Sequence, residues 1–374
     1  MKAPRKILIT GNMGYVGPVV VRHLREALPE TRLEGLDTGY FAHCLVGSPV
    51  LPETRVDAQH FADVRTVTED IFEGVDAVVH LAGISNDAIG QAFDEVTLDT
   101  NYKGTVRLAE MAKKAGVRSF AFASSCSLYG FSEEGAKTET SALDPLTAYA
   151  RSKFLAEGGL KPLADAGFNV TCLRFATACG MSERLRLDLV LNDFVANALF
   201  SGRIDILSDG TPWRPLIHVR DMARAFEWAV QRDPSAGDYL VVNVGTDAWN
   251  YQVRDLAHAV QRHFPEAVVS INEKAAPDRR SYRVNFSLFR SLAPDHQPRI
   301  SLDMAVRELK AGLEPRDGER GTFDKPKYIR LNVLRQLKSR GVLSETIHFN
   351  KNYESYEGAE PCPTPAPVAV SANA

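Results

Sequence analysis

The sequence predicts an α/β protein: a doubly wound parallel sheet followed by a smaller C-terminal α/β lobe. Three observations lead there. Short apolar runs at Lys6–Thr10, Arg32–Leu36, Arg55–Phe61, Ala77–Leu81, Ser119–Ala123 and Val170–Leu173 alternate with amphipathic segments, notably Phe93–Lys114 and Leu146–Ala166. The first run leads directly into a glycine-rich turn, Gly11-Asn12-Met13-Gly14-Tyr15-Val16-Gly17, with a helical apolar pattern behind it at Val19, Val20 and Leu24. After about residue 175 the alternation breaks into shorter strands, loops and helices, punctuated by Pro212, Pro215, Pro277 and Pro294.

Strand, glycine turn and helix form the context in which such a turn binds a dinucleotide. Glycines let the backbone turn tightly and approach a pyrophosphate, whose charge is stabilised at the helix N-terminus. Pro18 is tolerated because the first helical turn has no amide hydrogen bond for it to break. The second run ends at Asp37, 20 residues after Gly17. A carboxylate there bonds the adenosine ribose hydroxyls and repels a 2′-phosphate. Thr38 and Gly39 follow with no adjacent arginine, so NAD is favoured over NADP. Residues 1–175 therefore read as a Rossmann-type NAD-binding domain. Residues 176–350 read mainly as a substrate-binding lobe with some later Rossmann elements, and residues 351–374 as a disordered tail.

A chain of 374 residues buries a large core, and a net charge of −3 with interspersed signs gives no attraction to nucleic acid or membrane. No apolar stretch approaches the ~20 residues that cross a bilayer, and no signal-peptide apolar region follows Met1. The 5 cysteines lack metal-ligand spacing, so no metal is expected, and reduced thiols in a cytoplasm are the simplest reading.

Tyr149 and Lys153 lie 4 residues apart, on one face of a helix. A tyrosine titrates near ~10, too high for efficient proton transfer at neutral pH. A lysine ammonium about 4 Å away, at an effective dielectric of ~20, favours the phenolate by roughly 4 kcal/mol. That predicts a Tyr149 pKa about three units lower. The run Ser119–Ala123 ends in Ser124-Ser125-Cys126-Ser127-Leu128-Tyr129-Gly130, where a hydroxyl hydrogen-bonds a substrate oxygen and shares its proton with Tyr149.

Taken together, these segments resemble the extended short-chain dehydrogenase/reductase family, in particular its nucleotide-sugar epimerases, reductases and dehydratases. The likeness runs from Thr10 to roughly Arg283. It rests on the Thr-Gly-x-x-Gly-x-x-Gly turn, Asp63, His80-Leu81-Ala82-Gly83, Asn101-Tyr102-Lys103-Gly104-Thr105, the Ser-Ser…Tyr-Gly segment, Tyr149/Lys153 and Arg214-Pro215-Leu216-Ile217-His218. The resemblance implies a catalytic triad of Ser125, Tyr149 and Lys153. It implies cofactor contacts at Gly11 to Gly17, Asp37, Asp63 (to adenine), Val64, Leu81, Ala82, Gly83, Asn101, Ser124, Tyr149 and Lys153. It assigns substrate contacts to Ser85, Ser125, Cys126, Ser127, Thr177, Asn192, Arg214 and Arg280, with Arg214 clamping a nucleotide diphosphate. A homodimer through the two long helical segments is also implied.

The departures narrow the reaction. Where family dehydratases carry Asp-Glu, this chain has Cys126 and Ser127, which argues against 4,6-dehydration. Thr177 replaces a usual substrate-binding asparagine, and Arg279 and Arg280 compete for the place of the late family arginine. The expectation is an NAD-dependent enzyme acting at a carbon, C4 first, of a nucleotide-activated sugar. Epimerase comes first, NAD(P)H-dependent 4-keto-sugar reductase second, and a non-catalytic dinucleotide-binding scaffold or sensor a remote third. Residues Leu313 to Asn350 extend beyond the usual family end, with their role open.

Overall fold

The computed structural model describes residues 3–85, 87–132, 135–275, 280–314 and 324–350. In chain order the strands are β1 (Lys6–Thr10), β2 (Arg32–Asp37), β3 (Ala58–Phe61), β4 (Ala77–His80), β5 (Ser119–Ser125), β6 (Ala136–Lys137), β7 (Asn169–Phe175), β8 (Thr177–Cys179), β9 (Arg203–Ile206), β10 (Trp213–His218), β11 (Tyr239–Val244), β12 (Asn250–Gln252), β13 (Val268–Ile271) and β14 (Arg283–Val284). The helices are α1 (Gly17–Ala27), α2 (Asp87–Ala92), α3 (Asp94–Leu98), α4 (Thr105–Lys114), α5 (Ala148–Leu160), α6 (Val190–Ser201), α7 (Val219–Gln231), α8 (Val253–Gln261), α9 (Ser287–Leu292), α10 (Leu302–Leu313) and α11 (Arg330–Ser339).

Seven parallel strands form the central sheet in the order β11-β7-β5-β4-β1-β2-β3. The chain starts in the middle, runs outward through β2 and β3, then returns to the far side of β1 at β4. That reversal leaves a crevice beyond the carboxyl ends of β1 and β4, where ligands bind in such sheets. Thr10, at the end of β1, pairs in register with both Leu36 and His80.

Helices cover both faces, so the strands are apolar on both sides. Ile7, Ile9, Val79, Ala121 and Leu173 pack with α1 and α7 in one core cluster. Leu8, Val78, Phe120, Phe122, Val170 and Cys172 face the other way, against α4 and α5. This is the period-2 alternation of a pleated strand, with a core on each side.

Two expected elements are refined. The run expected at Arg55–Phe61 is a strand only from Ala58; Pro52 starts a 3₁₀ turn over Pro52–Arg55 instead. The segment Phe93–Lys114 is α3, a π-helical turn at Asp99–Gly104 and α4. Such turns are frequent at functional sites.

The later residues add the three-stranded sheet β12-β10-β8 and the pairs β13-β9 and β14-β6, while β11 returns to the central sheet. The chain separates into two compact units, Met1–Val333 and Leu334–Ala374. In the second, the chain turns at Gly341 and forms an antiparallel bridge between Leu343 and Phe349. The tail expected at 351–374 lies outside the described residues. Among the described residues, no helix is long and apolar enough to cross a membrane.

Candidate active site

The glycine turn sits at the crevice. Gly11 has φ 76°, and a Cβ there would stand 2.5 Å from the Ala82 nitrogen, so this position needs glycine for conformation and for space. A Cβ on Gly17 would stand 2.3 Å from the Asn12 carbonyl oxygen, so the turn closes onto the start of α1. Helix α1 has no side-chain cap, and Pro18 occupies its first turn. Val19 N and Val20 N both donate to Val16 O (3.1 Å each) and Pro18 has no N–H, so the positive end of the helix dipole at Gly17 faces the turn.

Asp37, at the end of β2, accepts from Met13 N (3.0 Å) and Gly39 N (2.8 Å). These two bonds use half of the roughly four acceptor sites of a carboxylate. Burial raises its pKa, while the two amides and the Arg184 charge pull the other way. Asn12 bonds Gln59 (2.6 Å), and the Tyr15 hydroxyl donates to Gly180 O (2.6 Å), which anchors both turn side chains away from the crevice. Turn, uncapped helix and Asp37 fit a dinucleotide.

A buried chain links this turn to the next element. The Ala82 N–H donates to Thr10 Oγ1 (3.3 Å), which meets His80 Nδ1 at 2.6 Å. His80 Nε2 meets Thr105 Oγ1 at 2.8 Å, and that hydroxyl donates to Asn101 O (2.7 Å). Because the Thr105 proton is committed, His80 donates from Nε2 and accepts at Nδ1. Burial and the Lys153 charge hold His80 down to about 3, so it is neutral and acts as a strut. The Asn101 amide bonds both backbone groups of Ile84 (2.7 and 2.8 Å) and Ser152 Oγ (3.0 Å). The π-helical turn thereby fixes the loop after β4 against α5.

Helix α5 is capped by Thr147, which accepts from Ala150 N (3.1 Å) and donates to Asp87 (2.7 Å). It carries Tyr149 and Lys153 to the end of β5, where the Ser125 hydroxyl is near enough to the Tyr149 phenol to favour its ionised form. Lys153 Nζ lies 4.6 Å from the Phe122 ring centroid and 5.8 Å from that of Tyr149. A Cβ on Gly83 would approach the Asn101 oxygen to 2.9 Å, so a side chain there would crowd Asn101, with Lys153 Nζ in ordinary contact at 3.8 Å.

The electrostatics overturn one expectation. Burial pushes Tyr149 up to about 12, against a lowering by the Ser125 hydroxyl and the Arg186 charge. Lys153 is itself driven down to about 8 by burial, partly offset by Glu157. A dry site penalises both charged forms, so the simple Coulomb gain from one lysine is outweighed.

Among the residues expected to meet a substrate, Ser85 is held by Arg186: Nη1 donates to its hydroxyl (2.8 Å) and Nη2 to its carbonyl (3.0 Å). Arg280 pairs with Asp87 at 3.0 Å. Arg214 donates to Trp213 O (2.9 Å), and its charge reaches the buried Tyr282, which also feels Asp87 and Tyr149. Thr177 begins β8, half-buried. Ser127 donates its N–H to Ser125 Oγ (3.1 Å), while its own buried Oγ has no partner among the described residues.

Other expected residues are engaged elsewhere. Ser124 donates to Glu157 (2.5 Å), and Cys126 Sγ to Arg174 O (3.0 Å), with burial raising the thiol pKa. Both side chains point into the protein because alternate residues of β5 and its extension face opposite sides. The Asn192 amide donates to the Tyr15 hydroxyl and Arg186 O (both 2.9 Å), which leaves no side-chain N–H for a substrate. Asp63 is clasped by Arg65 at 2.6 Å, and Val64 is buried in the second core. Arg279 lies outside the described residues.

Sequence reasoning missed Arg186, Asp87, Tyr282 and the buried Glu157–Arg174 pair (2.6 Å). The spacing of Glu157 four residues after Lys153 was the one available signal, since it places both on one face of α5.

Comparison with known proteins adds the lineage. The pattern of the NAD dependent epimerase/dehydratase family matches residues 7–245. The UDP-glucose 4-epimerase of Streptomyces lividans is 30% identical over 273 residues, covering 69% of this chain and 80% of that one. The dTDP-glucose 4,6-dehydratase of Streptomyces niveus is 28% identical over 327 residues, covering 83% and 88%. Among solved structures, an NAD-dependent NDP-hexosamine 5,6-dehydratase involved in tunicamycin biosynthesis aligns with a TM-score of 0.72 at 24% identity, over 84% of this chain and 99% of that one. The UDP-glucuronic acid 4-epimerase from Bacillus cereus, bound to UDP-glucuronic acid and NAD, aligns with 0.70 at 21%, over 82% and 98%. At these identities the two structures speak to the fold.

Proposed function

The chain belongs to the NAD dependent epimerase/dehydratase family, and on that premise we propose that it is a nucleotide-sugar 4-epimerase, cycling C4 of a nucleotide-activated hexose through a ketone. The observation that carries this reading is the convergence of Ser125, Tyr149 and Lys153 at the end of β5, in a site whose following side chains, Cys126 and Ser127, offer no carboxylic acid. The relatives named UDP-glucose 4-epimerase support it and make UDP-glucose the first substrate to assay.

Gly11–Gly17 and the α1 N-terminus would hold the cofactor diphosphate, and Asp37 the adenosine ribose. Asp63 would meet the adenine, Ala82 and Gly83 would line the path, and Lys153 would hold the nicotinamide ribose. NAD, when bound, supplies a hydride acceptor and donor. The chain does the proton work: Tyr149 as phenolate takes the proton of the C4 hydroxyl, Ser125 hydrogen-bonds the developing ketone oxygen, and Tyr149 returns the proton on the way back. The free site holds Tyr149 near 12, so phenolate formation relies on Lys153 staying charged and on Arg186. Arg214 and Arg280 would bind the sugar-linked diphosphate, with Arg280 leaving Asp87 to do so. Ser127, with its unpartnered hydroxyl, and Thr177 would face the sugar. Exposed Phe154 and Leu155 on α5 support a homodimer through that helix and the α3–α4 segment.

The test is the dinucleotide released on denaturing freshly purified protein. Near-stoichiometric NAD is expected, because an epimerase recycles its cofactor within each turnover. An empty or freely exchanging site refutes the epimerase and favours a keto-sugar reductase.

A further inference from the structure

Inside the family match, residues 183–187 form a loop whose two arginines reach toward opposite ends of the site. Glu183 O accepts from Val46 N (2.9 Å), joining this loop to the chain after β2. Arg184 is fully buried and grips Glu53 with two bonds (2.5 and 2.9 Å). Arg186, two residues on, grips Ser85 and Asp188. The charge of Arg184 bears on Asp37 at one end, and that of Arg186 on Tyr149 at the other.

Residues 325–330 fasten this loop from outside. Leu187 N donates to Tyr328 O (2.9 Å), and Arg330 Nη2 donates to Arg184 O (2.7 Å). The Arg330 guanidinium lies 4.6 Å from the Phe41 ring centroid, and the Tyr328 hydroxyl bonds Leu45 O (3.2 Å). Lys325 anchors the segment to α6 through Asn197 (2.7 Å) and Asp193 (2.6 Å). Arg330 is buried, and its Nη1 has no partner among the described residues. Burying a charge for one carbonyl bond and a ring contact costs stability, so fold stability does not account for its presence.

We propose that Lys325–Arg330 is a strap that fixes the 183–187 loop across the cleft, and that Arg330 is the positioning residue through which it retains the dinucleotide and sets Arg186 beside Tyr149. This rests on the NAD-binding reading above. It gives the C-terminal extension a function: holding the cofactor through repeated turnovers.

The test uses the full-length NAD-loaded protein and measures NAD release by dilution into labelled NAD. Losing a buried charge-assisted bond corresponds to about a tenfold effect. Arg330→Met is expected to release NAD about tenfold faster, with Arg330→Lys, which still donates to Arg184 O, in between. The pH limb of activity assigned to Tyr149 is expected to move upward in Arg330→Met, as Arg186 loosens, and to return in Arg330→Lys. A purely structural defect would lower the amplitude and leave the limb in place. Wild-type release with an unmoved limb in Arg330→Met overturns the strap. Should Arg330→Met fail to fold, Arg330→Lys and Tyr328→Phe carry the test, and wild-type release in both overturns it. A wild-type protein that binds no NAD refutes the proposed function and the strap with it. Retained NAD indifferent to Arg330 refutes the strap alone.

Discussion

Two buried arginines flank the cleft and are handled in opposite ways. Arg174, on β7, makes a bidentate pair with Glu157 of α5 and bonds the Tyr129 hydroxyl (3.1 Å), which in turn donates to Asn243 (2.7 Å). Ser124 completes the same carboxylate. Among the described residues Arg330 has no carboxylate partner, one carbonyl, one aromatic ring and an unsatisfied nitrogen; burial lowers its pKa to about 10. The first arrangement is neutralised and locks α5 to the sheet, so Tyr149 and Lys153 sit on a fixed frame. The second leaves stabilisation unused and holds a loop by few contacts. Rigidity is placed under Tyr149 and Lys153, and a weaker hold over the 183–187 loop.

The largest effect should come from breaking the rigid side. Glu157→Ala leaves Arg174 buried and unpaired and is expected to cost about 3–5 kcal/mol, read as a lower denaturation midpoint. A loss below about 1 kcal/mol would mean that solvent reaches the pair.

Tyr149→Phe should come next: folded, NAD-binding, and slower by at least about 10²-fold in turnover. Near-wild-type turnover would remove the phenol from the mechanism.

Lys153→Met should separate function from stability. The folded pKa of Lys153 is depressed from 10.5 to about 8. The folded state therefore carries a penalty for the charged amine that is fully present below pH 8 and fades as pH rises toward 10.5. Removing the amine is expected to stabilise the protein at pH 7 by roughly 2–3 kcal/mol while abolishing turnover. This gain should shrink as pH approaches 10, and a destabilised variant would show that Glu157 needs the lysine more than burial penalises it. The smallest effect is expected from Ser85→Ala. Arg186 keeps Asp188 there, so kcat/KM should fall by about tenfold, the worth of one bond to a charged group. No change would place Ser85 outside the substrate path.

The legibility of the site follows the same division. The glycine turn, Asp37 and the Tyr149/Lys153 pair were legible because each is a local pattern whose geometry is set by one strand end or one helical turn. The positions of the strands followed from continuous apolar runs that only a doubly covered sheet requires. The sign of the Tyr149 shift was not legible, since it depends on desolvation by groups far apart in sequence. Arg186 meets Ser85 across 101 residues, and Arg330 meets Arg184 across 146. No spacing rule connects such partners. Asn192 and Cys126 looked available in sequence, yet folding commits their polar atoms to Tyr15, Arg186 and Arg174.

The most direct test of the central claim uses nucleotide hexoses carrying deuterium at C4, starting with UDP-glucose. The account predicts the C4 epimer with its deuterium retained at C4 and no net accumulation of reduced dinucleotide. Deuterium lost to solvent, or no conversion of UDP-, dTDP- or GDP-hexoses alongside stoichiometric oxidation of NADH by 4-keto-sugars, would contradict it.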